Sequence, residues 1–140
     1  MRGTDEALLV VHRPGPQFLV LLRAPDRHGY WHLVAGGIEE GESPSEAARR
    51  ELDEETRLNQ PMQFEAIPLE LGYRRPHEYG GAWVTLHSFA AGATSSWEPV
   101  LNEEHVEYRW CSDDEAMDLL AYPEPREAVR WVAEQLEAAT

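Results

Sequence analysis

Apolar positions in this chain fall into short unbroken runs near the start and spaced stripes later, with strong turn signals between them. Ala7–His12 and Gln17–Arg23 are two such runs, separated by His-Arg-Pro-Gly-Pro, and together they predict a hairpin. Ala24–Tyr30 is a polar loop rich in Pro, Asp and Gly, and Trp31–Val34 returns to a short strand that runs into Gly36-Gly37. The most sharply marked helix is Ser45–Thr56. Ser43 stands at the N-cap, Pro44 at the first helical position, and Glu46 completes a Ser-x-x-Glu capping box. Ala47, Ala48 and Leu52 supply its core stripe, and Pro61 blocks any continuation.

Further along, Gln63–Leu71 is predicted as a strand, Gly72–Gly81 as a loop, Trp83–Ala91 as a strand and Gly92–Pro99 as a loop. His105–Cys111 alternates and reads as the last strand. Ser112 with Glu115 opens a helix to about Ala121, which Pro123 and Pro125 break. Arg126–Ala138 is the final helix, with Val129, Val132 and Leu136 inward. Neither repeats nor a linker interrupt this order. Strands, a helix, strands and helices predict one α/β domain over residues 1–140, an α/β/α sandwich around a mixed sheet.

Composition narrows the function. The apolar run after residue 6 is too brief for a secretory core, and no stretch reaches the ~18–20 apolar residues of a membrane span. A single cysteine, Cys111, has no internal disulfide partner, so a reducing cytoplasmic location is expected. The formal charge of −14 argues against duplex nucleic acid as a partner, because binding it needs clustered Lys and Arg. A small phosphorylated substrate is compatible with that charge if a divalent cation is recruited as well. Nothing in the sequence separates a monomer from a homodimer.

The densest chemistry lies in GGIEEGESPSEAARRELDEETRL, from Gly36 to Leu58. On a helix, Glu51, Glu54 and Glu55 fall within a fan of roughly 100°, with Glu42 and Glu46 toward its start. Like charges this close need compensation. Solvent and the neighbours Arg49, Arg50 and Arg57 could supply it; so could Mg2+ or Mn2+, which suit hard oxygen clusters. The pattern of carboxylates leaves both readings open.

The spacing around them resembles the Nudix signature, G-x5-E-x7-R-E-U-x-E-E-x-G-U with U aliphatic. Gly36, Glu42, Arg50, Glu51, Leu52, Glu54, Glu55 and Leu58 all occupy matching positions. One specified position differs: Arg57 stands where the family has a glycine after the helix. The expectation there is a different turn, with Asn59 taking the unusual geometry. The resemblance implies a Mg2+- or Mn2+-dependent hydrolase that cuts a phosphoanhydride by in-line attack of water. It makes Glu51 and Glu55 metal ligands and Glu54 a third ligand or the base. Arg50 would orient these carboxylates, Gly36 and Gly37 would let the loop approach the helix, and Glu42 would support the loop or an outer metal. Arg50 could equally be paired within the helix to Glu46 or Glu54.

Members of this family also place a remote carboxylate at the metals, and Glu104, with Glu103 behind it, is the candidate; a solvated loop carboxylate is the plainer reading. Trp31 could stack on a base or pterin ring or be a core aromatic. Arg23, Arg27 and either Arg74 or Arg75 could meet substrate phosphates. The tracts GYWHLVAGGIEEGE and EEHVEYRWCSDDEAMDLLAYPEPREAVRWV are similar to bacterial dihydroneopterin-triphosphate and dATP pyrophosphohydrolases. That likeness implies release of pyrophosphate and a monophosphate. Nucleotide sugars, ADP-ribose and dinucleoside polyphosphates are the alternative substrates, and a catalytically silent binding module is the alternative role. The six histidines show no ligand spacing, and no serine or cysteine has a nucleophile context.

Overall fold

The computed structural model describes residues 5–139; the expected domain of residues 1–140 therefore extends, at residues 1–4 and 140, outside the described residues. Its strands are β1 (Glu6–Arg13), β2 (Gln17–Arg23), β3 (Trp31–His32), β4 (Val34–Gly37), β5 (Gln63–Ala66), β6 (Leu71–Arg74), β7 (Trp83–Gly92) and β8 (His105–Cys111). The helices are α1 (Pro44–Thr56), α2 (Asp113–Leu119) and α3 (Pro123–Ala138). All eight strands join one mixed sheet, in which β1 runs parallel to β7 and the other pairings are antiparallel.

The unbroken apolar runs of β1 and β2 follow from burial on both faces of this sheet. Successive side chains point to opposite sides. Ala7, Leu9, Val11, Leu19 and Leu21 pack with Ala47, Ala48 and Leu52 of α1. Leu8, Val10, Phe18 and Val20 pack with Ala116 of α2 and with Ala128, Val129 and Val132 of α3. The result is the α/β/α sandwich expected from the element order.

One irregularity positions the site. β1 and β2 pair only beside their turn, at His12↔Phe18 and Arg13↔Gln17. Beyond it they splay, and the predicted Trp31–Val34 strand divides to fill the wedge. β3 lies on β2 at Leu21↔His32, whereas β4 lies on β1 from Glu6↔Gly37 to Leu9↔Val34. The glycine pair thus belongs to a strand inside the wedge.

Two other expectations need correction. Gln63–Leu71 is not one strand: Pro68, which has no N–H to give a ladder, separates β5 from β6. Both still lie on β7, β6 along Trp83–Leu86 and β5 along Phe89–Gly92. The predicted loop from Gly72 accordingly begins after Arg74. Pro123 and Pro125 do not separate two helices from outside. They occupy the first turn of α3, whose N-cap is Tyr122 and where a backbone N–H has no intrahelical acceptor. The preceding helix ends at Leu119.

Helix α1 begins as predicted, with both halves of the Ser43–Glu46 capping box formed. Its end differs. Arg57 itself takes the left-handed C-cap, at φ 55 and ψ 56, and its N–H donates to Asp53 O at 2.8 Å. Asn59 does not carry that geometry; its side chain accepts from the Trp97 indole at 3.0 Å. A left-handed non-glycine residue costs about 1–2 kcal/mol, partly offset by the unfolded-state entropy of glycine. Arg57→Gly is therefore expected to raise the thermal unfolding midpoint by about 2–5 °C. An unchanged or lower midpoint in a melting experiment would show that this cap is unstrained.

Candidate active site

Helix α1 lays an acidic pair into its own core stripe. Ala48, Glu51, Leu52 and Glu55 succeed one another at helical spacing, and all four are buried, Glu51 at 5% and Glu55 at 2% exposure. Two carboxylates occupy positions where burial alone would select apolar residues. Glu51 fits because β4 offers it a glycine: any Cβ on Gly36 would overlap the Glu51 carboxylate. Glu54, on the next position around the helix, has a half-exposed side chain.

Arg50 ties this segment together. Its Nε and Nη2 donate to the two oxygens of Glu42 at 2.7 and 3.0 Å, and Nη2 also donates to Gly37 O at 2.9 Å. Nη1 donates to Glu51 Oε1 at 2.7 Å and reaches Glu54 Oε2 at 3.4 Å. Glu46 takes no part, being used in the capping box. One guanidinium thus fixes the loop, the strand end and two helix carboxylates. The Arg50 hydrogen bond, followed by the Glu39 backbone N–H, holds the Glu42 carboxyl down at about 2.

Glu55 and Glu54 are pushed the other way. Burial first, then a hydrogen bond and charge from Glu51, then the charge of Glu104, raise Glu55 well above the ordinary carboxylate value. Glu54 is raised by partial desolvation and by Glu51, with Glu104 and Glu39 adding smaller amounts against Arg50. Glu51, Glu54, Glu55 and Glu104 therefore share one field although they come from α1 and from the turn before β8.

That turn is built by Asn102. Its amide donates to Glu54 O at 2.9 Å and to Glu104 Oε2 at 3.3 Å, and its carbonyl accepts from the Glu104 N–H. Arg27 closes on Glu104 Oε1 from the other side at 3.0 Å. A hollow of about 480 Å3 opens here between Arg27, Glu54, Arg57 and Glu104. A larger groove, about 1200 Å3, lies between α3 and β6–β7 and carries none of the α1 carboxylates.

Of the residues singled out in the sequence, Arg50, Glu51, Glu54, Glu55, Glu104 and Arg27 come together. Arg23 joins their margin, paired in register with His105, its Nε donating to Arg27 O and its guanidinium 5.4 Å from the Tyr30 ring centroid. Arg75 does not; it stands 3.6 Å from Glu6, which also accepts from the Tyr73 hydroxyl, while Arg74 is turned to Gly81 O. Trp31 packs against the α2–α3 core, and the Arg109 guanidinium lies over its ring at 5.2 Å.

The sequence reading missed Asn102 and two histidines, the buried His105 and the half-buried His32. His105, the first residue of β8, places Nε2 3.7 Å from Glu55 Oε1, and neither ring nitrogen has a hydrogen-bond partner. Burial and then Arg23 lower it to about 4, as they do His32, so both rings are neutral at pH 7. A lone histidine on an alternating strand carries no sequence signal of this neighbourhood.

Could these residues hold a cation? Among the described residues no three acids or imidazoles form a closed cage. The donors nevertheless suit Mg2+, which keeps several waters and needs only one or two carboxylates besides phosphate oxygens. Glu55 Oε2 is buried with no hydrogen-bond partner, and the protonation pressure on Glu55 is what a divalent charge would relieve. Glu51, Glu54 and Glu55 fit such an ion, with Glu104 at its edge.

The NUDIX domain profile matches residues 3–132, nearly the whole chain. The chain belongs to the Nudix family of hydrolases. It is 35% identical over 130 residues to an octanoyltransferase of Myxococcus xanthus; this covers 89% of the chain but 35% of that protein, so the chain spans about a third of that relative. A Haemophilus influenzae dihydroneopterin triphosphate diphosphatase is 26% identical over 141 residues, covering 92% of this chain and 87% of the relative. Among solved structures, a NUDIX hydrolase from Listeria monocytogenes superimposes with a TM-score of 0.83 at 29% identity, over 96% of this chain and 95% of that one. No described helix is long and apolar enough to cross a membrane.

Proposed function

We propose that this protein hydrolyses a phosphoanhydride bond in a nucleoside-triphosphate-like substrate, a deoxynucleoside triphosphate or dihydroneopterin triphosphate, releasing pyrophosphate and a monophosphate with Mg2+ or Mn2+ as cofactor. The observation that carries this reading is the pair Glu51 and Glu55, buried in the core stripe of α1 beside Glu54 and Glu104. Burying acids together destabilises a fold unless a cation or a proton offsets their charge, and such clusters are characteristic of functional sites. Similarity to the Haemophilus influenzae diphosphatase supports the triphosphate class.

The chain's own groups divide the work. Arg50 holds Glu51 and the loop in register, so the acids do not reorganise when phosphate arrives. Glu54 is the more exposed acid, open to an attacking water, and its raised proton affinity suits it to accept that water's proton. Arg27 and Arg23 line the approach and would pair with phosphate oxygens, Glu104 keeping Arg27 in place. Tyr30, beside Arg23, neighbours Tyr122 and Glu6, and Glu6 in turn contacts Tyr73 and Arg75; this group could receive the organic end of the substrate. Trp31 would add stacking there only by exchanging its Arg109 contact. A bound divalent ion would supply charge neutralisation and a lower pKa for the attacking water.

The test is a substrate panel with Mg2+, scoring pyrophosphate against orthophosphate release, run beside EDTA and the Glu51→Gln and Glu54→Gln variants. The expected result is metal-dependent pyrophosphate release from triphosphates, largely lost in both variants. Preference for a nucleotide sugar or ADP-ribose would remove the triphosphate assignment. Unchanged turnover of every substrate by the variants would remove the metal-hydrolase reading altogether.

A further inference from the structure

The buried face behind the acidic pair holds an unusual accumulation of unused hydrogen-bonding capacity. Glu55 Oε2, His105 Nδ1 and His105 Nε2 are all shielded from solvent, and none has a hydrogen-bond partner. Buried polar atoms are normally paired, and an exception needs a reason. Here the exceptions are neighbours: Nε2 lies 3.7 Å from Glu55 Oε1, with the two side chains 1% and 2% exposed. At that distance the contact is not yet a hydrogen bond. A shift of less than 1 Å would make it one.

We propose that His105 is a positioning residue for the reaction, its Nε2–H donating to Glu55 Oε1 and so fixing the plane of that carboxylate, with Oε2 left for the cation. The inference rests on the reading of Glu55 as a metal ligand. An imidazole suits the task because Nε2–H is a single donor on a flat ring, aimed at one carboxylate oxygen. The sheet sets its placement: β8 pairs with β2, His105 lies opposite Arg23 just past a register irregularity at Leu22/Arg23, and the turn through Asn102 precedes it. A packing role alone would be served by any ring of similar size. It would leave Nε2 buried against a carboxylate oxygen without purpose.

The test measures Mn2+ binding to the substrate-free protein by electron paramagnetic resonance, with the melting midpoint recorded for each variant. His105→Phe is expected to raise the Mn2+ dissociation constant about 10–100-fold, the usual effect of removing a residue that orients a metal ligand. His105→Gln, whose amide nitrogen falls near the Nε2 position, is expected to stay within several-fold of the natural protein. His105→Asn, with its amide nearer the Nδ1 position, should resemble His105→Phe. This Gln–Asn contrast keeps the test decisive if the phenylalanine variant fails to fold. Equal affinities in Gln and Asn variants, or unaltered affinity in a folded Phe variant, overturn the proposal. Glu55→Gln separates the two levels. If it too binds Mn2+ normally, the ligand reading has failed and the positioning role with it; if it alone weakens binding, only the role of His105 is lost.

Discussion

Gly36→Ala is expected to reduce turnover by at least about 100-fold, the scale of loss when a reacting group moves by an ångström. Substitution would bring a methyl group into overlap with the Glu51 carboxylate, with both oxygens and the carbon in the way. Glu51 cannot simply step aside. Its Oε1 is held by Arg50, its side chain is buried, and Leu52 and Ala48 fill the same helix face. Either α1 lifts from β4 or Glu51 leaves its rotamer, and overpacking of this kind costs about 1–3 kcal/mol. Thermal unfolding should show that moderate loss, while Mn2+ binding and hydrolysis should collapse further than the stability change explains. Natural turnover in the alanine variant would mean that the place of Glu51 against β4 does not matter to the reaction.

That glycine shows which parts of the molecule could be read from the chain alone. The start of α1 was legible because a capping box is local: Ser43, Pro44 and Glu46 define it within one turn. The acids were legible by their helical spacing and by the resemblance of Arg50-Glu51-Leu52 and Glu54-Glu55 to a family signature. Sequence could not show that Glu51 and Glu55 lie in the core stripe rather than on a solvated acidic face, because that depends on β4 entering the wedge between β1 and β2. The same nonlocal pairing hid His105 and Asn102, which reach the site only when β8 docks on β2. Other misreadings had local remedies. Pro68 lacks a ladder donor, so chemistry alone argues against a nine-residue strand through it, and prolines at both 123 and 125, directly after Tyr122, suit a first helical turn better than a gap. Arg57 is a third kind of case. Local propensity favoured moving the left-handed residue to Asn59, yet the Trp97 indole claims that asparagine.

Arg50→Lys tests the other half of the site, the single cation that organises it. A lysine keeps the charge, but its three donors radiate from one point. It cannot span both oxygens of Glu42, Glu51 Oε1 and Gly37 O as the planar guanidinium does. Turnover is expected to fall about 10–100-fold, as when the groups orienting a metal ligand are removed. The pH dependence carries a separate signature. Glu42 sits at about 2 when Arg50 holds it, against an ordinary value of ~4.3 in the unfolded chain. A depressed folded-state value means the unfolded chain binds the extra proton first. The stabilisation is therefore full above about pH 5 and drains away as pH falls toward 2. Urea unfolding of the natural protein and the lysine variant should accordingly differ most at pH 7 and converge on going to pH 3. A gap of constant size across that range would assign the loss to packing of the arginine stem, and the ion pair with Glu42 would no longer account for the order of the loop.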